Sequence, residues 1–306
     1  MSFLLCGQTD SGKSTISGNL LYKCNYFSTL NVDDEKYYRK YLDNIEENKS
    51  KSKWSILMDL LDGEITTNKS KTQEFNSISF EYNEKNYTLI DTPGHKLYIR
   101  ALIDGLFHKH LDLVIIVVSS INNEFSESFE RGTVKEDLIL CRSTGCKNLL
   151  ILWNKSDLST INETNRDLMT SYCKKLQFKN IEQLNVSGYL GDGVLDILPI
   201  VDKYVAIRAE YPSGRTESES KLVTIDCLIV ADALITSGYQ CIMHTQTGEY
   251  EIVVEGVKGT RILKISTPSC IKVSTIKGIC INTFIGDRVI FRNSSTTLGF
   301  GVVKSV

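Results

Sequence analysis

Hydrophobic and polar positions follow two different rhythms along the chain, and the change comes close to residue 208. Before it, short apolar runs alternate with stretches whose apolar residues recur every three or four positions. Ser2-Phe3-Leu4-Leu5-Cys6, Leu113 to Val118, Asn148 to Trp153 and Ile181 to Val186 read as strands, and Leu113 to Val118 is apolar enough to be buried on both faces of a parallel sheet. Lys13 to Cys24, Arg131 to Cys141, Asn165 to Leu176 and Leu195 to Val205 predict helices, the first with Ile16, Leu20 and Leu21 on one face. Phe75 to Tyr82 and Tyr87 to Ile90, split by Asn83-Glu84-Lys85-Asn86, predict an antiparallel hairpin. The expected class is α/β, with a mostly parallel, doubly wound sheet.

Two stretches break this alternation. From Asn31 to Lys71 the chain is polar and charged around one apolar island, Trp54, Ile56, Leu57, Leu60 and Leu61, which predicts solvated helices pinned by that island. From Ala209 to Lys221, Tyr-Pro-Ser-Gly-Arg-Thr-Glu-Ser-Glu-Ser has the composition of a linker. Beyond it no helical period survives. Leu222 to Val230, Gln240 to His244, Tyr250 to Glu255, Arg261 to Ile265, Ile271 to Thr275, Gly278 to Thr283, Asp287 to Arg292 and Leu298 to Val303 are short β-branched runs, as in a small closed barrel or sandwich. The expected domains are 1–208, a linker at 209–221, and an all-β domain at 222–306.

Composition narrows the function without naming it. A net charge of -2 with 24% charged residues argues against a free-standing nucleic-acid binder that relies on a basic surface. The nine cysteines lack zinc-ligand spacing and read as reduced thiols, Cys141 and Cys146 being the closest pair. No apolar run approaches the roughly 18 residues of a membrane span. Met1 runs straight into the first strand, so neither a leader nor membrane association is expected, and the expected location is cytoplasmic.

Three motifs carry the chemistry, in one order. Gly7-Gln8-Thr9-Asp10-Ser11-Gly12-Lys13-Ser14-Thr15 fits the pattern G-x-x-x-x-G-K-[ST] between a strand and a helix. Backbone N–H groups from Thr9 to Thr15 would wrap phosphates at the helix N-terminus, Lys13 would reach the outer phosphates and the Ser14 hydroxyl would ligate Mg2+. Asp91-Thr92-Pro93-Gly94-His95 ends the hairpin: Asp91 is placed to hold Mg2+, the Gly94 N–H to approach the last phosphate, and His95 to orient the attacking water. His108 and His110 read instead as surface positions at a helix end. Asn154-Lys155-Ser156-Asp157 selects the base. Asp157 can accept from the N1–H and 2-amino group of guanine, Asn154 can read the other ring edge, and the Lys155 stem can lie on the base; Asp157 is expected to be a buried carboxylate, and a site built around one can reject the wrong base by about 10^4-fold. Ser187-Gly188-Tyr189 follows, with backbone N–H groups for the guanine oxygen. A Thr closing on Mg2+ and the last phosphate is expected at Thr72, with Thr66 and Thr67 as rivals.

With these residues in view the chain resembles the translational GTPases, in the branch holding eukaryotic elongation factor 1-alpha, the eukaryotic class-II release factor and the rescue GTPase that partners Pelota. The phosphate loop with Asp10, Leu21-Tyr22-Lys23-Cys24, the motifs at Asp91 and Asn154, and Leu198-Pro199-Ile200-Val201-Asp202-Lys203-Tyr204 are similar to that branch, and Glu124 to Gly132 resembles its Glu-Phe-Glu segment. Ser70-Lys71-Thr72 is closer to the Gly-Lys-Thr of the release and rescue members. Ile235-Thr236-Ser237-Gly238-Tyr239 and the runs from Ile279 to Val303 resemble the family's last barrel, while its middle barrel is replaced by the short linker.

The resemblance implies a P-loop GTPase domain followed by a β-barrel, GTP and GDP with Mg2+ as ligands, and a monovalent cation near Asp10. Lys13, Thr72 and His95 would be the catalytic residues, and Ser14, Thr72 and Asp91 the metal ligands. Asp10, Ser11, Gly12, Lys13, Ser14, Thr15, Gly94, Asn154, Lys155, Asp157, Ser187, Gly188 and Tyr189 would hold the nucleotide. Expected partners are the ribosome, through the sarcin-ricin region of its RNA, and a release-factor-like or Pelota-like protein. Loss of the middle barrel disfavours aminoacyl-tRNA, and a monomer is expected. Gln8, Thr9 and Lys71 depart from an apolar gate around the histidine, so hydrolysis is expected to be slow until a partner is engaged. The competing expectations are a GTP-bound scaffold that hardly hydrolyses and a regulatory GTPase with no ribosomal role.

Overall fold

The strand-forming runs of the first two hundred residues lie side by side in one sheet, and the most apolar of them take its middle, where both faces are covered. In the computed structural model of the chain they form β1 (Ser2–Cys6), β3 (Lys85–Asp91), β4 (Leu113–Ser119), β5 (Asn148–Asn154) and β6 (Asn180–Asn185), with β2 (Asn76–Tyr82) at the edge. The sheet order is β2-β3-β1-β4-β5-β6. Every pair is parallel except β2 with β3, the expected hairpin, in which Ile78 faces Leu89 and Phe80 faces Tyr87. The structure describes residues 1–29, 53–61, 76–95, 99–108, 111–143, 145, 147–205, 218–231, 233–257, 262–263, 268–293 and 296–306. Thr66, Thr67, Thr72, His110, Cys146 and positions 209–217 of the expected linker lie outside them.

The chain divides into two compact units, Met1–Leu138 with Cys146–Arg208, and Ile139–Gly145 with Ala209–Val306. In the first, helices cover both sheet faces. Phe3 and Leu5 of β1 and Leu113, Ile115 and Val117 of β4 share a core with α1 (Lys13–Lys23), α2 (Lys53–Leu61) and α7 (Ile197–Val205), to which Leu20, Leu57 and Val201 contribute. The remaining helices are α3 (Ile99–His108), α4 (Asn122–Glu130), α5 (Val134–Ser143), whose residues from Ile139 on group with the second unit, and α6 (Glu163–Lys175); Phe125 of α4 meets Trp153 of β5 at a ring separation of 5.3 Å, and Phe129 of α4 meets Tyr172 of α6 at 5.6 Å. Each fully buried Leu, Ile or Phe contributes about 1.5–3 kcal/mol. The stretch resembling the Glu-Phe-Glu segment is therefore helical, because Phe125 and Phe129 fall on one face and stack at 5.4 Å. Local signals set the ends of α6: Asn162 caps it by accepting from the Thr164 N–H at 2.9 Å, and Lys174 and Lys175 sit in its last turn.

The second unit is a closed antiparallel barrel in the order β10 (Gln240–His244), β11 (Glu249–Val257), β13 (Pro268–Thr275), β8 (Val223–Ile229), β16 (Thr297–Ser305), β15 (Arg288–Arg292). Val223, Ile225, Cys227 and Ile229 alternate into its interior with Met243, Ile252, Val273, Val289 and Leu298. Two short pairs accompany it: β9 (Ile235–Thr236) with β12 (Ile262–Leu263), and β7 (Ser218–Ser220) with β14 (Ile281–Thr283). Ser218–Ser220, inside the expected linker, is thus a strand. The twelve residues 206–217 between α7 and β7 are too few for a second barrel.

Burial pushes the thiols of Cys24, Cys173, Cys227 and Cys241 up to about 12, so at neutral pH they act as small apolar side chains. Among the described residues no helix is long and apolar enough to cross a membrane.

Candidate nucleotide site

The C-terminal ends of β1, β3 and β5 deliver the three motifs to one rim of the sheet, which is where open α/β sheets bind ligands. After β1 the chain turns through Gly7 (φ 136°), Asp10 (φ 62°) and Gly12 (φ 96°) into α1, whose N-terminus no side chain caps. These left-handed residues wind the loop so that helix N–H donors remain for an anion. The positions have no slack: a β-carbon on Gly12 would collide with the Asn154 amide, and one on Gly94 would strike Lys13 Nζ and lie 2.6 Å from the Gly7 carbonyl oxygen. Gly94, at the end of the second motif, therefore packs directly on the phosphate loop, and its carbonyl accepts from the Thr9 N–H at 3.1 Å.

Lys13 is buried, and its Nζ donates to the carbonyls of Gly7 at 2.7 Å and Gln8 at 3.0 Å. Burial lowers its pKa, opposed by the carboxylates of Asp91 and Asp137. Asp91 is equally buried, and desolvation raises its pKa to about 6 against the pull of Lys13, the Ser14 hydroxyl and the Thr92 N–H. Its Oδ1 has no hydrogen-bond partner. A buried carboxylate oxygen left without a partner, beside the Ser14 hydroxyl and at the mouth of a phosphate loop, is the donor set a Mg2+ ion takes, so these residues fit the ion. Asp137 of α5 is the acid that the sequence motifs do not include. It accepts from Thr133 Oγ1 at 2.9 Å, and burial raises its pKa to about 7.

The base motif is wired into the loop. Asn154 Nδ2 donates to the Ser11 carbonyl at 2.8 Å, and its Oδ1 accepts from the Gly188 N–H at 2.9 Å. Ser187 Oγ donates to Asp157 Oδ1 at 2.7 Å and accepts from the Leu190 N–H at 3.1 Å. Lys155, at φ 64°, pairs with Glu124 of α4 at 2.6 Å. Burial works to raise the Glu124 pKa, but the hydrogen bonds from Lys155 and Ser119 outweigh it and lower it. One sequence expectation is corrected: Asp157 is exposed, not buried, because it sits past the end of β5 on an open turn.

His95 follows Gly94 and is half-buried at the same rim. Gln8 Oε1 accepts from the Thr133 N–H at 3.2 Å. Asn19, Trp54, Glu124 and Asp137 also reach the site region without belonging to a motif. Trp54 stood out in sequence only as part of an apolar island and Glu124 only as part of a family segment, while Asn19 and Asp137 gave no signal.

The arrangement is that of a nucleotide-binding α/β domain joined to a β-barrel, and sequence comparison places it. Residues 1–207 match the Elongation factor Tu GTP binding domain, and the chain belongs to that family of GTP-binding domains, the translational GTPases. The eukaryotic peptide chain release factor GTP-binding subunit of Ogataea pini is 28% identical over 312 residues, spanning 95% of this chain and 40% of the relative. Elongation factor 1-alpha of Xenopus laevis is 28% identical over 239 residues, 75% of this chain and 50% of the relative. The chain thus spans about half or less of the length of these curated relatives. Among solved structures, the S. cerevisiae Ski7 GTPase-like domain bound to GTP has the same fold, with a TM-score of 0.77 at 13% identity over 99% of this chain and 96% of that one.

Proposed function

We propose that the protein binds GTP and GDP with Mg2+ and hydrolyses GTP on the ribosome, acting in termination or ribosome rescue beside a release-factor-like or Pelota-like protein. The observation that carries the nucleotide part is the convergence of the motifs on one rim, with Lys13 bonded to the Gly7 and Gln8 carbonyls, Gly94 to Thr9, Asn154 to both Ser11 and Gly188, and Ser187 to Asp157. Relatives named as release factor GTP-binding subunits support the ribosomal part. Ser14, Asp91 and the switch threonine, for which Thr72 is the candidate, would hold the metal, which when bound would supply positive charge to the phosphates.

This chain's own groups do the rest. Lys13 exchanges its two carbonyl acceptors for phosphate oxygens, the Gly94 N–H senses the last phosphate, and Asp10 lies where a monovalent cation would be held. His95 orients the attacking water once a partner, such as the sarcin-ricin region of ribosomal RNA, fixes its ring. Phosphoryl transfer is governed mostly by positioning and electrostatics, so a slow basal rate with large stimulation is the expected behaviour.

A second reading, a GTP-bound scaffold with little turnover, is favoured by Gln8. Its side chain is anchored to Thr133 and leaves no apolar wall beside His95 at that position. GTP turnover with and without ribosomes, beside His95→Ala, separates the two. Stimulation lost in the variant supports the factor; tight binding without turnover under either condition supports the scaffold.

A further inference from the structure

The loop from Ser187 to Gly191 is gripped by two helices. From α1, Asn19 Nδ2 donates to the Gly188 carbonyl at 2.8 Å and Lys23 Nζ to the Gly191 carbonyl at 2.5 Å. From α2, Trp54 Nε1 donates to the Tyr189 carbonyl at 2.8 Å. The loop's own N–H groups are mostly spent: Ser187 donates to the Asp192 carbonyl, Gly188 to Asn154 Oδ1, Leu190 to Ser187 Oγ and Gly191 to the Ser187 carbonyl. The Tyr189 N–H takes part in none of these bonds. A trans peptide holds its C=O and N–H in one plane and pointing opposite ways. Asn19's hold on the Gly188 carbonyl therefore turns the Tyr189 N–H away from α1, and Trp54's hold on the next peptide keeps Tyr189 from rotating.

Trp54 is itself fixed. It is buried, its ring lies 4.9 Å from that of Tyr22 and 4.5 Å from the Lys53 ammonium, and its carbonyl presses on Gly18 where no β-carbon fits. We propose that Trp54 is a positioning residue for base recognition, its indole N–H clamping the Tyr189 peptide so that the Tyr189 N–H meets the 6-oxo oxygen of guanine. The proposal rests on the guanine-site reading above. It also couples the base loop, by one hydrogen bond, to a helix within the polar stretch that ends at Thr72.

Trp54→Phe keeps an aromatic ring, though a smaller one, and removes the donor. GDP, ADP and 6-thio-GDP, whose sulfur is a poor acceptor while N1–H and the 2-amino group are retained, would be titrated against the variant and the unmutated full chain. The variant should lose about fivefold to tenfold in GDP affinity, one hydrogen bond's worth, with little change for 6-thio-GDP, so that the preference between the two shrinks. Equal loss for both nucleotides, or no loss, overturns the role of Trp54. An unmutated chain that does not prefer GDP over ADP overturns instead the guanine reading beneath it.

If the variant does not fold, 15N-indole spectra of the unmutated protein decide. GDP should move one indole resonance, more than 6-thio-GDP does, and leave the other, because Trp153 Nε1 is bonded to Gln183 within the sheet at 2.8 Å. Two unmoved resonances overturn the proposal.

Discussion

Asn154 and Gly188 are joined by a 2.9 Å hydrogen bond from the Gly188 N–H to the Asn154 side-chain oxygen, while the same amide donates to the Ser11 carbonyl at 2.8 Å. One buried side chain thus ties the phosphate loop to the base loop. Asn154→Ala leaves a buried N–H and a buried carbonyl without partners, at about 1–3 kcal/mol each. Urea unfolding should show a lower midpoint, and GDP binding should weaken beyond what the lost stability explains. A variant as stable as the parent would mean that water replaces the amide at no cost.

Gly94→Ala tests the close approach of the second motif to the first. The added methyl must displace Lys13 Nζ and the Gly7–Gln8 backbone, so a stability loss of about 1–3 kcal/mol is expected from overpacking. Because the displaced groups are those that would face phosphate, affinity for GTP should fall more than affinity for guanosine, as calorimetry with both ligands would reveal.

Asp137 gives a pH prediction. Its folded pKa, raised by burial to about 7, lies above the ordinary carboxyl value of 3.8, so the folded state holds the proton longer than the unfolded one. Stability from this group is therefore full below about pH 4 and is lost as pH rises toward 7. Asp137→Asn, which cannot ionise, should gain in melting temperature relative to the parent as pH is raised from 5 to 8. A difference that stays constant across that range would show that Asp137 titrates normally.

In the barrel, a β-carbon on Gly301 would lie 2.6 Å from Ile225 Cγ2 and 2.7 Å from the Asp226 carbonyl oxygen. Gly301→Ala should destabilise by about 1–3 kcal/mol, in a melt followed by near-UV circular dichroism. Nucleotide binding at the first unit should be unchanged while the chain remains folded.

The sheet was legible because Leu113 to Val118 is a run that only a strand covered on both faces can bury, and the barrel because its β-branched runs recur between turn residues. The three motifs were legible for a different reason: phosphate and base chemistry demand fixed residue types at fixed local spacing. What escaped is non-local. Ser218–Ser220 carries weak strand propensity and pairs only because Ile281–Thr283 lies beside it in space. The buried carboxyl of Asp137, the clamp from Trp54 and the Gln8 to Thr133 contact join residues whose proximity no local pattern encodes. Asp157 was misjudged as buried because the motif specifies its identity and not its exposure.

The base site is the central claim, and equilibrium binding of GDP and XDP to the parent and to Asp157→Asn tests it most directly. Xanthine carries a 2-oxo acceptor where guanine has a 2-amino donor, and Asn offers a donor where Asp accepts. The parent should prefer GDP by about 100-fold or more, and the variant should reverse that preference. A parent that binds both alike, or a variant that keeps its preference for GDP, would contradict the assignment of Asp157 and of the guanine site built around it.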